Sequence, residues 1–424
     1  MIINSINTTN FKGYDARPLK GFLMNCNNAG IATEMSAIGA KEGFKIFSVA
    51  GKTCKEGVLI NHKGILNIWA QDIWTMTKTG VIFQNLSKQT QAVLRKFNLT
   101  PNTIQQTLRE SDGTCLKILE DIKKKDNEIS EYSNEVDCKI SVLKEKIKER
   151  KNLEKDLSEL REDIHIAGGN IYLVQSEGHD ELLIGENELE IFDKNEIKDM
   201  YSVDKIIPLP QMDYHIDLFV RPLDKKRILL ADDNKTLEVL DKGIKKLQSY
   251  ILTLPKDAQK EYKEVRKKML TAYLEFKKNI KENKNAKAEE VENALIENGY
   301  SVIRVPGRLY GLMDDPDLKG FNLLNHHFNY MNANLIQNQN NEIVYITNKS
   351  NYDKKIGLTP DLSKEIDFSF EKEFIKSISP FVKKEHIYFV EGEDNYVSDK
   401  MLWEAMGGIH CACAEIPEGV SINE

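Results

Sequence analysis

The chain lacks any run approaching the roughly 18 consecutive apolar residues that a membrane-spanning helix requires. Its first residues, Met1-Ile2-Ile3-Asn4-Ser5-Ile6-Asn7, show no basic start followed by an apolar stretch. A soluble, unexported, cytoplasmic protein without a membrane partner is the expectation. Cysteine is sparse. Six residues, Cys26, Cys54, Cys115, Cys138, Cys411 and Cys413, are scattered over 424 positions without metal-finger spacing. Reduced thiols are therefore expected rather than a disulfide framework or a metal site. Excess positive charge is missing too: the net charge of -7 argues against nucleic acid as a general partner, and it agrees with a cationic substrate without locating one.

What is present is a chain that is 41% hydrophobic and long enough for one large core or two ordinary ones. Four short runs rich in β-branched and aromatic residues share one outline: 44–51 (FKIFSVAG), 205–211 (KIIPLPQ), 301–307 (SVIRVPG) and 386–393 (HIYFVEGE). Three precede a hairpin-like pair: 217–220 with 227–231, 334–337 with 343–347, and a less clear pair near Ile68 and Val81. A further hairpin reads from Asn170 to Gly185. Helical stretches at 234–250 and 285–298 separate these units, and a charged, Lys-rich helical stretch at 255–284 elaborates one of them with a solvated face. Recurrence of strand, hairpin and helix predicts an α/β repeat architecture rather than a doubly wound sheet.

Residues 86–165 stand outside the repeat as a charged helical insertion dividing 1–85 from 166–424, with Ser87 and Thr100-Pro101 as helix starts. Apolar residues Ile129, Val136, Ile140, Leu143, Ile147, Leu153, Leu157, Leu160 and Ile164 recur at heptad-like spacing. The register slips by one residue between Ile147 and Leu153, which predicts local overwinding or a bend in a long helix. Two uses fit: a solvated helical hairpin on the protein's own surface, or a coiled coil for a protein partner or self-association.

Near the chain end, Met406-Gly407-Gly408-Ile409-His410-Cys411 presents a cysteine on a glycine-permitted turn beside a histidine. Such a thiol suits a nucleophile, although an isolated cysteine is ordinarily a small buried hydrophobe. Three upstream segments supply accompanying groups: Trp69-Ala70-Gln71-Asp72, Gly168-Gly169-Asn170 and Tyr214-His215-Ile216-Asp217. Taken singly, each has a duller reading. A His-x-Asp pair is ordinarily a surface or hydrogen-bonded core pair, Asp72 a turn or capping residue, and the Gly-Gly-Asn a shaping element ahead of a strand.

In type and order these four segments resemble those of the guanidine-modifying (pentein) superfamily, most closely protein-arginine deiminases and, less closely, agmatine deiminases. The resemblance spans nearly the whole chain. It implies a pseudo-fivefold α/β propeller whose active site lies at one mouth, here carrying the helical insertion. It also implies deimination, the hydrolysis of a guanidinium to a ureido group with release of ammonia, with peptidyl-arginine favoured and no cofactor or metal. Cys411, His215, Asp217 and Asp72 are the candidate catalytic residues. Asp72 and Asp217 also bind substrate, joined by Trp69, Gln71, Asn170, Gly408 and His410.

A guanidinium demands this equipment, because it is planar, cationic and a poor electrophile, with five N–H donors in a rigid fork. Two carboxylates accept paired hydrogen bonds and hold the central carbon over the thiol, while the His-x-Asp spacing on a strand sends His215 and Asp217 to one side. Gln71 before Asp72 favours the protein-arginine deiminases, which leaves agmatine and free arginine as alternative substrates. Free arginine would need a cationic clamp, for which Arg221, Arg304 and Arg308 are candidates. Cys413 is either a small packing residue or a disulfide partner for Cys411 on oxidation. Three other readings stand beside these: an amidinotransferase passing the group to an amine; a zinc hydrolase using His215, Asp217, His410 and Cys411, without any recognised metal motif; and a propeller serving as a binding scaffold through its helical insertion.

Overall fold

The computed structural model describes residues 19–24, 28–48, 70–72, 74–77, 80–83, 104–105, 113–134, 139–163, 166–175, 179–282, 286–311, 325–402 and 407–417. In chain order come β1 (Leu19–Met24), α1 (Ala29–Glu42), β2 (Lys45–Ser48), β3 (Trp74–Thr77), β4 (Gly80–Phe83) and β5 (Ile104–Gln105). Two long helices follow, α2 (Gly113–Ser133) and α3 (Ile140–Asp163), then β6 (Ile171–Gln175), β7 (Asp180–Gly185), α4 (Glu186–Ile191), α5 (Lys194–Tyr201) and β8 (Lys205–Leu209). Next are β9 (Val220–Pro222), β10 (Arg227–Ala231), α6 (Asp233–Thr253), α7 (Gln259–Glu282), α8 (Ala286–Glu297) and β11 (Ser301–Val305). The remainder holds β12 (Arg308–Gly311), β13 (Asn325–Asn329), β14 (Asn334–Gln337), β15 (Ile343–Asn348), α9 (Tyr352–Lys355), α10 (Pro360–Glu365), α11 (Phe370–Ile378), β16 (Ile387–Val390) and β17 (Cys413–Pro417).

The architecture is mixed α/β, with one sheet plan used five times. Each copy is an antiparallel pair whose second strand takes a parallel third: β3-β4-β5, β6-β7-β8, β9-β10-β11, β14-β15-β16 and β17-β1-β2. A hairpin needs only a tight turn, whereas a parallel neighbour needs a crossover of a dozen residues or so, usually helical. Accordingly, α4 and α5 lie between β7 and β8, and α6 to α8 lie between β10 and β11. The last strand, β17, pairs with β1, so the fifth copy is assembled from the two ends of the chain. β12 and β13 form an additional two-stranded hairpin.

All four runs with the shared outline are the parallel third strands β2, β8, β11 and β16. The sequence expectation grouped three of these runs with the hairpin that follows; β8, β11 and β16 pair instead with the hairpin before them, and β2 pairs with β1. The fifth run escaped notice because β5 spans only two residues.

Side-chain alternation explains why these strands read as continuous apolar stretches. Leu183 of β7 and Ile207 of β8 join the large central cluster, while their neighbours Leu182, Ile184 and Ile206 join a separate cluster with Phe192, Ile197 and Tyr201 of the crossover. β15 does the same: Tyr345 faces the central cluster, and Val344 and Ile346 pack with Phe22, Met24 and Met35 beneath α1. Both faces of these two sheets are thus covered.

Within 86–165, a strand stands where only helix was expected, because Ile104 and Gln105 extend the β3-β4 hairpin alongside Ile82 and Phe83. α2 and α3 are antiparallel, as shown by the ion pairs Lys125–Glu149 (2.8 Å) and Lys146–Glu128 (3.2 Å) and the contact of Arg150 with Asp126. Two antiparallel helices agree with the helical-hairpin reading, and α3 runs unbroken from Ile140 to Asp163 across the slip near Arg150. The expected helix starts at Ser87 and Thr100-Pro101 lie outside the described residues.

Glu42 ties the first sheet to the fourth hairpin unit. Its buried carboxylate accepts hydrogen bonds from Asn338 Nδ2 (3.1 Å), His386 Nδ1 (2.9 Å) and the Tyr388 hydroxyl. Burial alone would raise its pKa, but these donors together outweigh burial and hold the carboxyl below its ordinary 4.5. A depressed folded-state value contributes stability that is present above the unfolded value and lost as pH falls through the folded one. Glu42→Gln should therefore lower unfolding free energy at neutral pH by about 1–3 kcal/mol and flatten the acid side of the stability profile. Urea titrations across acid pH test this; a variant with undiminished acid sensitivity would refute it.

Candidate active site

Three of the four sequence motifs meet at the glycine pair Gly168-Gly169. The segment after β8 places His215 in extended backbone and Asp217 in a 3-10 turn, Ile216–Leu218, rather than on the expected strand, which begins only at Val220. Both side chains nonetheless face Gly169: a Cβ there would lie 2.5 Å from His215 Nδ1 and 3.1 Å from Asp217 Oδ1. A Cβ on Gly168 would meet the Gln71 carbonyl oxygen at 2.3 Å. The two glycines thus let the 70–72 and 215–217 segments close on one backbone. Asn170 secures this arrangement, for its Oδ1 accepts from the Ile216 amide (3.0 Å) and Gln211 Nε2 (2.9 Å), while its Nδ2 donates to Glu188 (3.1 Å).

The cysteine segment is bound to the same centre by asparagines that sequence reasoning missed. Asn332 Oδ1 accepts from the His410 amide (2.9 Å), and Asn348 Oδ1 accepts from the Ile409 amide (2.8 Å). Asn334 Nδ2 donates to the Ile409 carbonyl (3.1 Å), and Asn329 Oδ1 accepts the Met331 and Asn332 amides. Gly408 packs on this lattice, since a Cβ there would fall 2.5 Å from Asn332 Oδ1 and 2.6 Å from Asn348 Oδ1. The available signal was Asn329-Tyr330-Met331-Asn332-Ala333-Asn334, three asparagines leading into a strand. Gln71 completes the joint by donating its backbone amide to the Cys411 carbonyl (3.2 Å).

Asp217 is fully buried and is the hub. Its Oδ2 accepts from Asn332 Nδ2 (2.8 Å), His410 Nδ1 (2.8 Å) and Gln71 Nε2 (3.3 Å), and it lies 3.7 Å from the Cys411 thiol. Asn332 Nδ2 also donates to Cys411 Sγ (3.1 Å). The other oxygen, Oδ1, has no hydrogen-bond partner among the described residues. An unsatisfied buried carboxylate oxygen costs on the order of 1–3 kcal/mol, so Oδ1 is the oxygen of Asp217 open to a further donor.

His410 is packed between Tyr172, whose ring stacks on it at 5.6 Å, and Arg221, whose Nη1 lies 3.1 Å from His410 Nε2. Burial, and then the Arg221 charge, hold its pKa below the ordinary 6.5. Gln71 Nε2 also comes within 2.8 Å of His410 Nδ1, so two donors converge on Asp217 Oδ2. His215 is half-buried, and its ring stands 4.8 Å from that of Tyr214.

Cys411, His215, Asp217, Gln71, His410, Asn170 and Gly408 are thus drawn into one region. Trp69 and the Asp72 side chain lie outside the described residues; Asp72 is placed only by its backbone in the turn Ala70–Asp72. Each of the three arginines considered as a carboxylate clamp has a partner within the chain. Arg221 faces His410, Arg304 binds Asp232 (3.2 Å) and Glu292, and Arg308 is buried against Asp213 (3.0 Å). Cys413 packs in the apolar cluster with Phe22, Met24 and Ile409, and neither it nor Cys411 forms a disulfide among the described residues. Among the described residues no three His, Cys, Asp or Glu side chains group as a metal site, and no helix is long and apolar enough to cross a membrane.

No family model and no curated protein matches the chain. Among solved structures, an agmatine deiminase from C. jejuni aligns over 97% of this chain and 96% of that one, with a TM-score of 0.44 and 12% sequence identity. A likeness that distant carries no weight for the chemistry.

Proposed function

We propose that the protein is a cysteine-dependent hydrolase of a guanidinium group, with peptidyl-arginine as the favoured substrate. One observation carries this reading: a fully buried carboxylate has an oxygen without a partner among the described residues, and a thiol held by an amide N–H lies beside its other oxygen. A guanidinium supplies what is missing, an N–H donor for Asp217 Oδ1, a positive charge for the carboxylate and an electrophilic carbon for Cys411.

In the reaction, the Cys411 thiol passes its proton to His215 as sulfur bonds to the guanidinium carbon. His215 returns that proton to the departing nitrogen, the C–N bond breaks and ammonia leaves. Water then attacks the S-alkylthiouronium, giving one proton to His215 and from there to sulfur; the C–S bond breaks and the second proton of the water is lost to solvent, leaving a ureido group and a restored thiol. Asn332 stabilises negative charge on sulfur by its N–H, and Asp72 is assigned to the opposite edge of the guanidinium. His410 and Gln71 hold Asp217 in place, and Asn170 and Gly408 shape the backbone around it.

The engagement of Arg221, Arg304 and Arg308 supports a substrate that presents no free carboxylate at this point, which favours peptidyl-arginine or agmatine over free arginine. Ammonia release from a panel of the three tests this. Release from a peptide should exceed that from free arginine by about tenfold or more. Release from agmatine alone would move the substrate to the amine, and release from none of them would refute the hydrolase reading.

A further inference from the structure

We infer that Arg221 is a positioning residue that keeps His410 a neutral imidazole with its proton on Nδ1, so that the ring serves Asp217 as a fixed donor and takes no part as acid or base. The catalytic part of this inference rests on the guanidinium-hydrolase reading; the part about the ring does not.

The assignment follows from what each atom can do. A guanidinium has donors and no acceptor, and it stays charged. Arg221 Nη1 lies 3.1 Å from His410 Nε2, so Nε2 must offer a lone pair. The single proton of the neutral ring then resides on Nδ1, 2.8 Å from Asp217 Oδ2, where a donor is required. A second proton on Nε2 would aim an N–H at an N–H and set two positive charges side by side with no water to separate them, since Arg221 is 0% exposed.

The other groups around the ring agree. Tyr172 covers its face and also lies under the Arg221 guanidinium, 4.9 Å away, which fixes the arginine in place. Gln71 Nε2 is an uncharged donor 2.8 Å from His410 Nδ1, and with the proton on Nδ1 its hydrogens are turned to Asp217 Oδ2 (3.3 Å) instead of to the ring; His215 adds a further repulsion against any charge on His410. Among the described residues, Asp217 is the acidic group facing the ring that favours a second proton, and its Oδ2 already accepts from Asn332 and Gln71. The sequence spacing His215-x-Asp217-x-x-x-Arg221 therefore places base, carboxylate and positioning arginine within seven residues. With Oδ2 held by three donors, Oδ1 is the oxygen left for substrate.

The test is long-range nitrogen–proton NMR on the full chain labelled at its 8 histidines, with His410→Gln used to identify the His410 signals. From about pH 5 to about pH 9, the His410 ring should remain in the Nδ1–H form without titrating. An Nε2–H form, or titration near the ordinary histidine value, would overturn the inference. In Arg221→Met the ring should begin to titrate within that range, while kcat/KM falls about 10- to 100-fold with most of the loss in kcat. Arg221→Lys, which keeps a cationic donor, should restore the non-titrating ring. If Arg221→Met fails to fold, the wild-type spectrum still decides. If no guanidine is hydrolysed but the ring behaves as stated, the function has failed and the proton assignment stands.

Discussion

Replacing Cys411 by alanine is expected to reduce ammonia release from the preferred guanidine by about 10⁴-fold or more while leaving the fold intact. The separation of these effects follows from how the residue is held. The segment is positioned through its backbone, by Asn332, Asn348 and Asn334 on residues 409 and 410 and by the Gln71 amide on the Cys411 carbonyl, and none of these contacts uses sulfur. Losing Sγ removes one N–H donation from Asn332, whose other donation to Asp217 at 2.8 Å remains. The melting temperature should therefore shift by only a few degrees, roughly the consequence of 1 kcal/mol in a chain of this size. Iodoacetamide should label Cys411 ahead of Cys413, which is enclosed by Phe22, Met24 and Ile409. Release by the alanine variant within about tenfold of wild type would eliminate Cys411 as the nucleophile.

How much of this was legible in the sequence depends on whether the signal was local. The parallel strands β2, β8, β11 and β16 announced themselves because each is written largely in β-branched and aromatic residues. The pairing partner of each was not legible, since a crossover helix gives no sign of which hairpin it returns to. Nor was the closure of β1 on β17, which joins residues almost 400 positions apart. At the site, Cys411 and His215-x-Asp217 were visible as motifs. The asparagine lattice was not, because Asn329, Asn332, Asn334 and Asn348 act by bonding backbone groups far off in sequence, and asparagine in a strand approach ordinarily reads as a turn residue. His410 illustrates the same limit. Its neighbourhood with Cys411 suggested contact with substrate, whereas its ring is turned to Arg221 and Asp217.

Asp217→Asn is expected to move two properties of the same thiol in opposite directions. Turnover of a guanidinium substrate should fall by about 10³-fold or more, because the variant removes the negative charge that matches the substrate. An amide oxygen would stay with the donors from Asn332, His410 and Gln71, which forces the amide nitrogen into the place of Oδ1, where it presents N–H groups to a cation made of N–H groups. Alkylation of Cys411 by neutral iodoacetamide at pH 7 should instead accelerate, by about tenfold or more. With the carboxylate 3.7 Å from sulfur, a developing thiolate meets a repulsion of about 4 kcal/mol at an effective dielectric near 20, before further screening, and the variant abolishes it. The comparison separates three roles for the carboxylate. Faster alkylation with lost turnover identifies Asp217 as the group that restrains the thiol until a cation arrives. Slower alkylation with lost turnover would make Asp217 a base for the thiol and overturn the division of labour assigned to His215. Loss of both together with a fall in melting temperature would reduce Asp217 to a structural hub, and the unpartnered oxygen would then have to be explained by something other than a substrate.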